Sequence, residues 1–189
     1  MSFVFNADEI FDLAVQIEKN GEKFYRESAR KVRGSAAEDL LTKLADMETD
    51  HQKTFQGMKS ALTAADRKAM TFDPNNEAGL YLASLADTTV FFGKDIDTSK
   101  LEGIFKAALL AEKDSIAFYL GMKELVPAGS GKSKLEDIIQ EEMRHIRILG
   151  EKLAALRKYV RRAFAPPCKS ASRRLLPWRM SFEAGLHPG

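Results

Sequence analysis

Two short stretches of this chain hold residues that could do chemistry together. One is Glu48 and His51, within "METDH"; the other is Glu142 and His145, within "EEMRH". A carboxylate and an imidazole three residues apart share one face of a helix. Such a pair sits equally well on a solvated face or in a metal site, so a single ExxH does not choose between them. The spacing between the two stretches does, because both residues of one map onto the other at a displacement of 94. The same displacement relates "IFDLAVQIEKNGEKFY" (Ile10 to Tyr25) to "IFKAALLAEKDSIAFY" (Ile104 to Tyr119). Seven identities fall in register there: Ile10/Ile104, Phe11/Phe105, Ala14/Ala108, Glu18/Glu112, Lys19/Lys113, Phe24/Phe118 and Tyr25/Tyr119. Leu41 also maps onto Leu135. Chance seldom keeps one displacement across separate segments.

The chain therefore reads as two helical hairpins of the same layout. Each would supply one lone glutamate from its first helix and one ExxH from its second. Glu18, Glu48, Glu112, Glu142, His51 and His145 could then converge near the middle of a bundle. Four glutamates facing inward repel one another in a low dielectric, and desolvation costs several kcal/mol per ion. Either most of them hold protons or cations lie between them. Two divalent ions would balance four carboxylates. Oxygen-rich ligation with one imidazole per ion suits iron or manganese better than zinc or copper. A Glu from each of two helices and an ExxH from each of two others is also the donor set of carboxylate-bridged bundles.

The elements that must position these groups are legible as four helices. The first spans about Ala7 to Lys31, with apolar residues Ile10, Leu13, Ala14, Ile17, Phe24 and Ala29 mostly three and four apart. Asn6 with Glu9 has the form of a capping box, and Gly34 is a stop. Ser35 with Glu38 opens the second helix, whose apolar positions are Leu40, Leu41, Leu44, Met47, Phe55 and Met58. So short a connection predicts antiparallel packing. From about Leu62 to Asp97 the pattern breaks, with room for one short helix between Asn76 and Ala86; this stretch is read as a long crossover. The third helix opens at Ser99, with Glu102, and ends near Val126. "VPAGSG" is a loop, and Ser133 with Glu136 opens the fourth helix, which runs to about Arg161. The fold class expected is all-α: an antiparallel four-helix bundle with one long crossover between helices two and three.

With those six residues in place, the chain resembles the ferritin-like superfamily, and within it the rubrerythrin-type di-iron carboxylate proteins. The likeness covers about residues 6 to 160. It implies that Glu48 and Glu142 bridge two iron ions, for which manganese or zinc can substitute. Glu18 and Glu112 would be terminal ligands, and His51 and His145 would bind one ion each. The four glutamates would be the catalytic carboxylates of an oxidoreductase that reacts Fe(II) with hydrogen peroxide or O2, as a peroxidase or ferroxidase serving peroxide detoxification or iron handling. Two departures stand out. Rubrerythrins usually carry a further glutamate three residues after the third-helix ligand, and here that residue is Ser115. They often carry a rubredoxin domain with two CxxC motifs; this chain has one cysteine, Cys168. An external electron donor such as a rubredoxin, or Fe(II) itself, would then supply electrons. A homodimer is the assembly the likeness implies. Two other readings stay open: a non-catalytic iron-binding or storage protein, and a helical interaction module with a vestigial site.

Around the six, the bland readings compete. Tyr25 and Tyr119 lie two turns from their glutamates and either donate to ligand carboxylates or pack in the core. Glu22, Asp46, Asp50 and Glu141 are assigned to solvated faces. Met47, Met58, Met122 and Met143 read as core filler. Among 189 residues, 44% are hydrophobic and 30% charged, and the net charge of +2 argues neither for nucleic acid nor for a membrane surface. One cysteine excludes an internal disulfide framework. No signal-peptide pattern or spanning run is visible, so a cytoplasmic protein is expected. Residues 1–162 are read as the four-helix di-metal domain. Residues 163–189 form a tail with four of the six prolines and no acidic residue before Glu183. It is read as irregular or flexible, with His187 in it unrelated to the site.

Overall fold

A computed structural model describes residues 6–68, 77, 80–82, 96–126 and 131–163. They form helices α1 (Ala7–Lys31), α2 (Ala36–Ser60), α3 (Ala64–Lys68), α4 (Leu101–Leu125) and α5 (Lys132–Ala163), and none of the described residues is in a strand. Residues 77 and 80–82 are also helical, within the stretch expected to hold a short helix. The rest of the crossover, most of the "VPAGSG" loop and the tail beyond Ala163 lie outside the described residues. No described helix is long and apolar enough to cross a membrane.

Local chemistry explains most of the helix ends. Asn6 Oδ1 accepts from Glu9 N at 2.9 Å while Asn6 N donates to Glu9 Oε2 at 3.0 Å, a complete capping box. Gly34 takes φ +78°, which a side chain would resist, and lets the chain reverse into α2. Ser35 caps α2 as expected, but Glu38 bonds back to Gly34 N and not to Ser35 N. Two expected starts are displaced. α4 begins at Leu101 because Ser99 N is taken by Asp97 Oδ1 at 2.9 Å, leaving Lys100 as an N-cap without a side-chain bond. α5 begins at Lys132, one residue before Ser133, and Glu136 pairs with Lys123 of α4.

The four long helices pack as two hairpins, α1 on α2 and α4 on α5; α1 meets α4, and α2 meets α5. The apolar core has two parts. One joins the start of α1 (Ile10, Phe11, Ala14), the end of α2 (Phe55, Met58), the end of α4 (Phe118, Met122) and the start of α5 (Leu135, Ile139). The other joins the opposite ends, including Ala29, Leu41, Leu44, Ile104, Phe105, Leu149 and Leu153. Starts packed against ends make the neighbours antiparallel. On each of these helices the acidic and histidine residues of the repeat fall between the two apolar clusters. The bundle is apolar at both ends and polar across its middle.

Candidate metal centre

All six residues of the repeat meet in that middle layer. Their exposure is 0% for Glu142 and His145, 1% for Glu18, 3% for Glu112 and His51, and 5% for Glu48, so water does not compensate their charge. Their ligand-type atoms form two groups, each within 4.8 Å: Glu18, Glu48, His51 and Glu142, and Glu48, Glu112, Glu142 and His145. Glu48 and Glu142 belong to both groups; the other four belong to one each. The imidazoles lie with ring centroids 5.9 Å apart and planes inclined by 21°. Both turn Nδ1 toward the carboxylates. His51 Nδ1 is 3.0 Å from Glu142 Oε1, and His145 Nδ1 is 3.0 Å from Glu142 Oε2.

The tyrosines are part of this layer, and their pairing crosses the bundle. Tyr25 of α1 donates its hydroxyl to Glu112 of α4, and Tyr119 of α4 donates to Glu18 of α1. Each therefore serves the lone glutamate of the other hairpin. Burial, followed by the nearby carboxylates, pushes both phenols well above their ordinary range, so they remain donors.

The electrostatics show how far the protein groups balance one another. Burial, then the charges of Glu18 and Glu142, raises Glu48 well above the ordinary carboxylate range. Burial, then Glu142, does the same for Glu112. Glu142 is held low: burial opposes its ionisation, but the close approach of Glu112 and of the two imidazoles outweighs it. His51 is lowered by burial yet lifted by Glu142 and Glu18 to about 11; His145 is lowered by burial yet lifted by Glu112 and Glu142 to about 9. Protons thus fill roles that cations fill in a carboxylate-rich site. Even so, both oxygens of Glu142 and both ring nitrogens of His145 are buried without an aligned hydrogen bond. Buried polar atoms of this kind call for a partner, and two oxygen-rich groups sharing two carboxylates are the donor set two divalent cations take.

Two residues near the site carry more than their sequence reading assigned. Glu141, placed on a solvated face, instead accepts from His51 Nε2 at 2.8 Å. Its position immediately before the second ExxH hinted at this, but its partner lies on another helix. Gly21 sits one turn after Glu18, and a methyl group there would lie 2.9 Å from Glu48 Oε2. An interior helix glycine was the available hint. The displacement carries Gly21 onto Ser115 (21 + 94 = 115), which is buried at 9%. The other charges follow the solvated reading: Asp50 pairs with Lys53, Asp46 with Arg26, and Glu22 with Arg26 and Gln52.

The rubrerythrin family model matches residues 9–79, the stretch that holds Glu18, Glu48 and His51. A solved structure from Thermotoga maritima, described as a candidate ferritin-like diiron-carboxylate protein, superposes with a TM-score of 0.60. It is 23% identical to this chain, and the match covers 82% of this chain and 98% of that one. The chain shares the fold of that structure, and its residues 9–79 are similar to the rubrerythrin family. No curated protein matches it. The second hairpin repeats the acidic and histidine residues of the first, although the family model reaches only the first.

Proposed function

We propose that this protein binds a pair of iron ions and works as an oxidoreductase toward hydrogen peroxide or O2. The observation that carries the reading is the two buried donor groups that share Glu48 and Glu142. Glu48 and Glu142 would bridge, Glu18 and His51 would complete one position, and Glu112 and His145 the other. When bound, an Fe(II) pair would supply two electrons for the reduction of hydrogen peroxide or O2. The chain's own groups do the rest. The apolar clusters on either side exclude bulk water. Tyr25 and Tyr119 fix the lone glutamates. Glu48 and Glu112, raised by burial, would release their protons on cation binding. Electrons would come from an external donor such as a rubredoxin, or from Fe(II) as substrate.

A second reading has one specific observation in its favour. Ser115 stands where rubrerythrins carry a further glutamate, so the centre offers four carboxylates, a set that also suits iron uptake or storage. Stopped-flow oxidation separates the two. Chelator-treated protein loaded anaerobically with two Fe(II) per chain is expected to oxidise faster than free Fe(II) on mixing with hydrogen peroxide or O2, and to turn over when a reductant is supplied. Binding of Fe(II) without accelerated oxidation by either oxidant would leave the storage reading and remove the enzymatic one.

A further inference from the structure

The two halves of the centre are unequal, and the difference lies at a residue outside the donor set. His51 turns Nδ1 inward, 3.3 Å from Glu18 Oε2, and Nε2 outward to Glu141 Oε2 at 2.8 Å. His145 also turns Nδ1 inward, 3.4 Å from Glu112 Oε1, but its Nε2 is buried without a hydrogen-bond partner among the described residues. The repeat shows why the pairing is one-sided. The residue displaced by 94 from Glu141 is Met47 (141 − 94 = 47), and a thioether is only a weak acceptor. An acceptor on one ring nitrogen decides which tautomer the imidazole adopts. With Nε2–H held by a carboxylate, the lone pair sits at Nδ1, and the ring becomes more basic toward a cation. Among the described residues His51 has this support, and His145 does not.

We propose that Glu141 is a positioning residue for His51 and makes the Glu18/His51 position the tighter of the two, filled before the Glu112/His145 position. This rests on the metal reading above. The surroundings make Glu141 suited to the task and open to test. Its side chain is 39% exposed, while that of His51 is 4% exposed. It lines an open cleft of about 620 Å³ between α2 and α5, together with Asp50, Lys134 and Asp137. Of the six residues of the centre, His51 alone lines this cleft among the described residues. Glu141 thus joins solvent to one ligand and not to its counterpart.

The test is an anaerobic titration of the chelator-treated full chain with Co(II), followed by calorimetry and by visible absorption of the bound ion. The expected result is two ions per chain in two resolved steps, with Glu112→Ala keeping the tight step and Glu18→Ala losing it. Glu141→Ala is expected to weaken the tight step by roughly 10- to 100-fold and leave the weak step near its wild-type value. Glu141→Gln, whose amide oxygen still accepts Nε2–H, is expected to lose less. Thermal unfolding of the metal-free variants checks that they fold; should Glu141→Ala not fold, a narrowed gap between steps in Glu141→Gln supports the proposal and an unchanged gap overturns it. Equal affinities in the wild type, or a folded Glu141→Ala with an unchanged tight step, would overturn the role of Glu141 while leaving the metal reading standing. A wild-type chain that takes up no Co(II) would overturn the metal reading and this proposal with it.

Discussion

Tyr25 and Tyr119 reach across the bundle, each to the lone glutamate of the opposite hairpin. That crossing ties the two halves together through Glu18 and Glu112. Replacing one by phenylalanine keeps the ring in its packing and removes only the donor. Tyr25→Phe is therefore expected to weaken metal binding at the Glu112/His145 position by about 10-fold or more, and Tyr119→Phe at the Glu18/His51 position, with the metal-free fold retained. Metal titration of the two variants checks this; losses at the same position for both, or none, would contradict the crossed pairing. The six central residues and the two tyrosines are visible in the sequence because the displacement repeats them. The crossed partners are not, since periodicity places a side chain on a helix face without naming the helix it meets. Glu141 was missed for the same reason: its one decisive contact is 90 residues away.

At the scale of an element, α1 keeps a glycine in its interior, where alanine normally stabilises a helix by about 0.5–1 kcal/mol. Glu48 occupies the space that the alanine methyl would need. Gly21→Ala is expected to leave metal-free stability within about 1 kcal/mol of wild type, as helix propensity offsets the displaced carboxylate. Metal affinity should fall by about 10-fold or more, since a ligand shared by both groups moves. Thermal unfolding with and without metal reads both effects, and an unchanged metal-induced shift in Tm would contradict this use of Gly21. The ends of elements show where local reading works. The Asn6–Glu9 box is a contact between neighbours in sequence and is legible as such. The starts of α4 and α5 were misplaced because the Ser-x-x-Glu pattern recurs near them, while Asp97 and Lys123 take the groups it needs.

For the molecule as a whole, two apolar clusters hold apart a polar layer that is costly without cations. His51 and His145 lie at about 11 and about 9, above the ordinary imidazole value of 6.5. Stability from their protonated forms is fully present below about 6.5 and is lost as pH rises through about 9 and then about 11. Glu48 and Glu112, raised as well, contribute with the same sign. The metal-free chain should therefore lose stability from neutral to alkaline pH. Bound cations displace those protons, so metal binding should tighten over the same range and the gap in Tm between loaded and metal-free chain should widen. Calorimetry at several pH values tests this, and a metal-free chain that gains stability toward pH 9 would contradict the charge arrangement. The bundle and its pseudo-twofold order were legible because one repeat encodes both hairpins; the unequal halves were not, because they depend on Glu141 and Met47, which break the repeat. The central claim is that two iron ions share Glu48 and Glu142. Anomalous scattering at the iron and manganese edges from crystals of the metal-loaded chain tests it most directly. The account predicts two peaks per chain, one bounded by Glu18 and His51 and one by Glu112 and His145, with both shared glutamates between them. No peak in this layer, or metal bound only elsewhere, would contradict it.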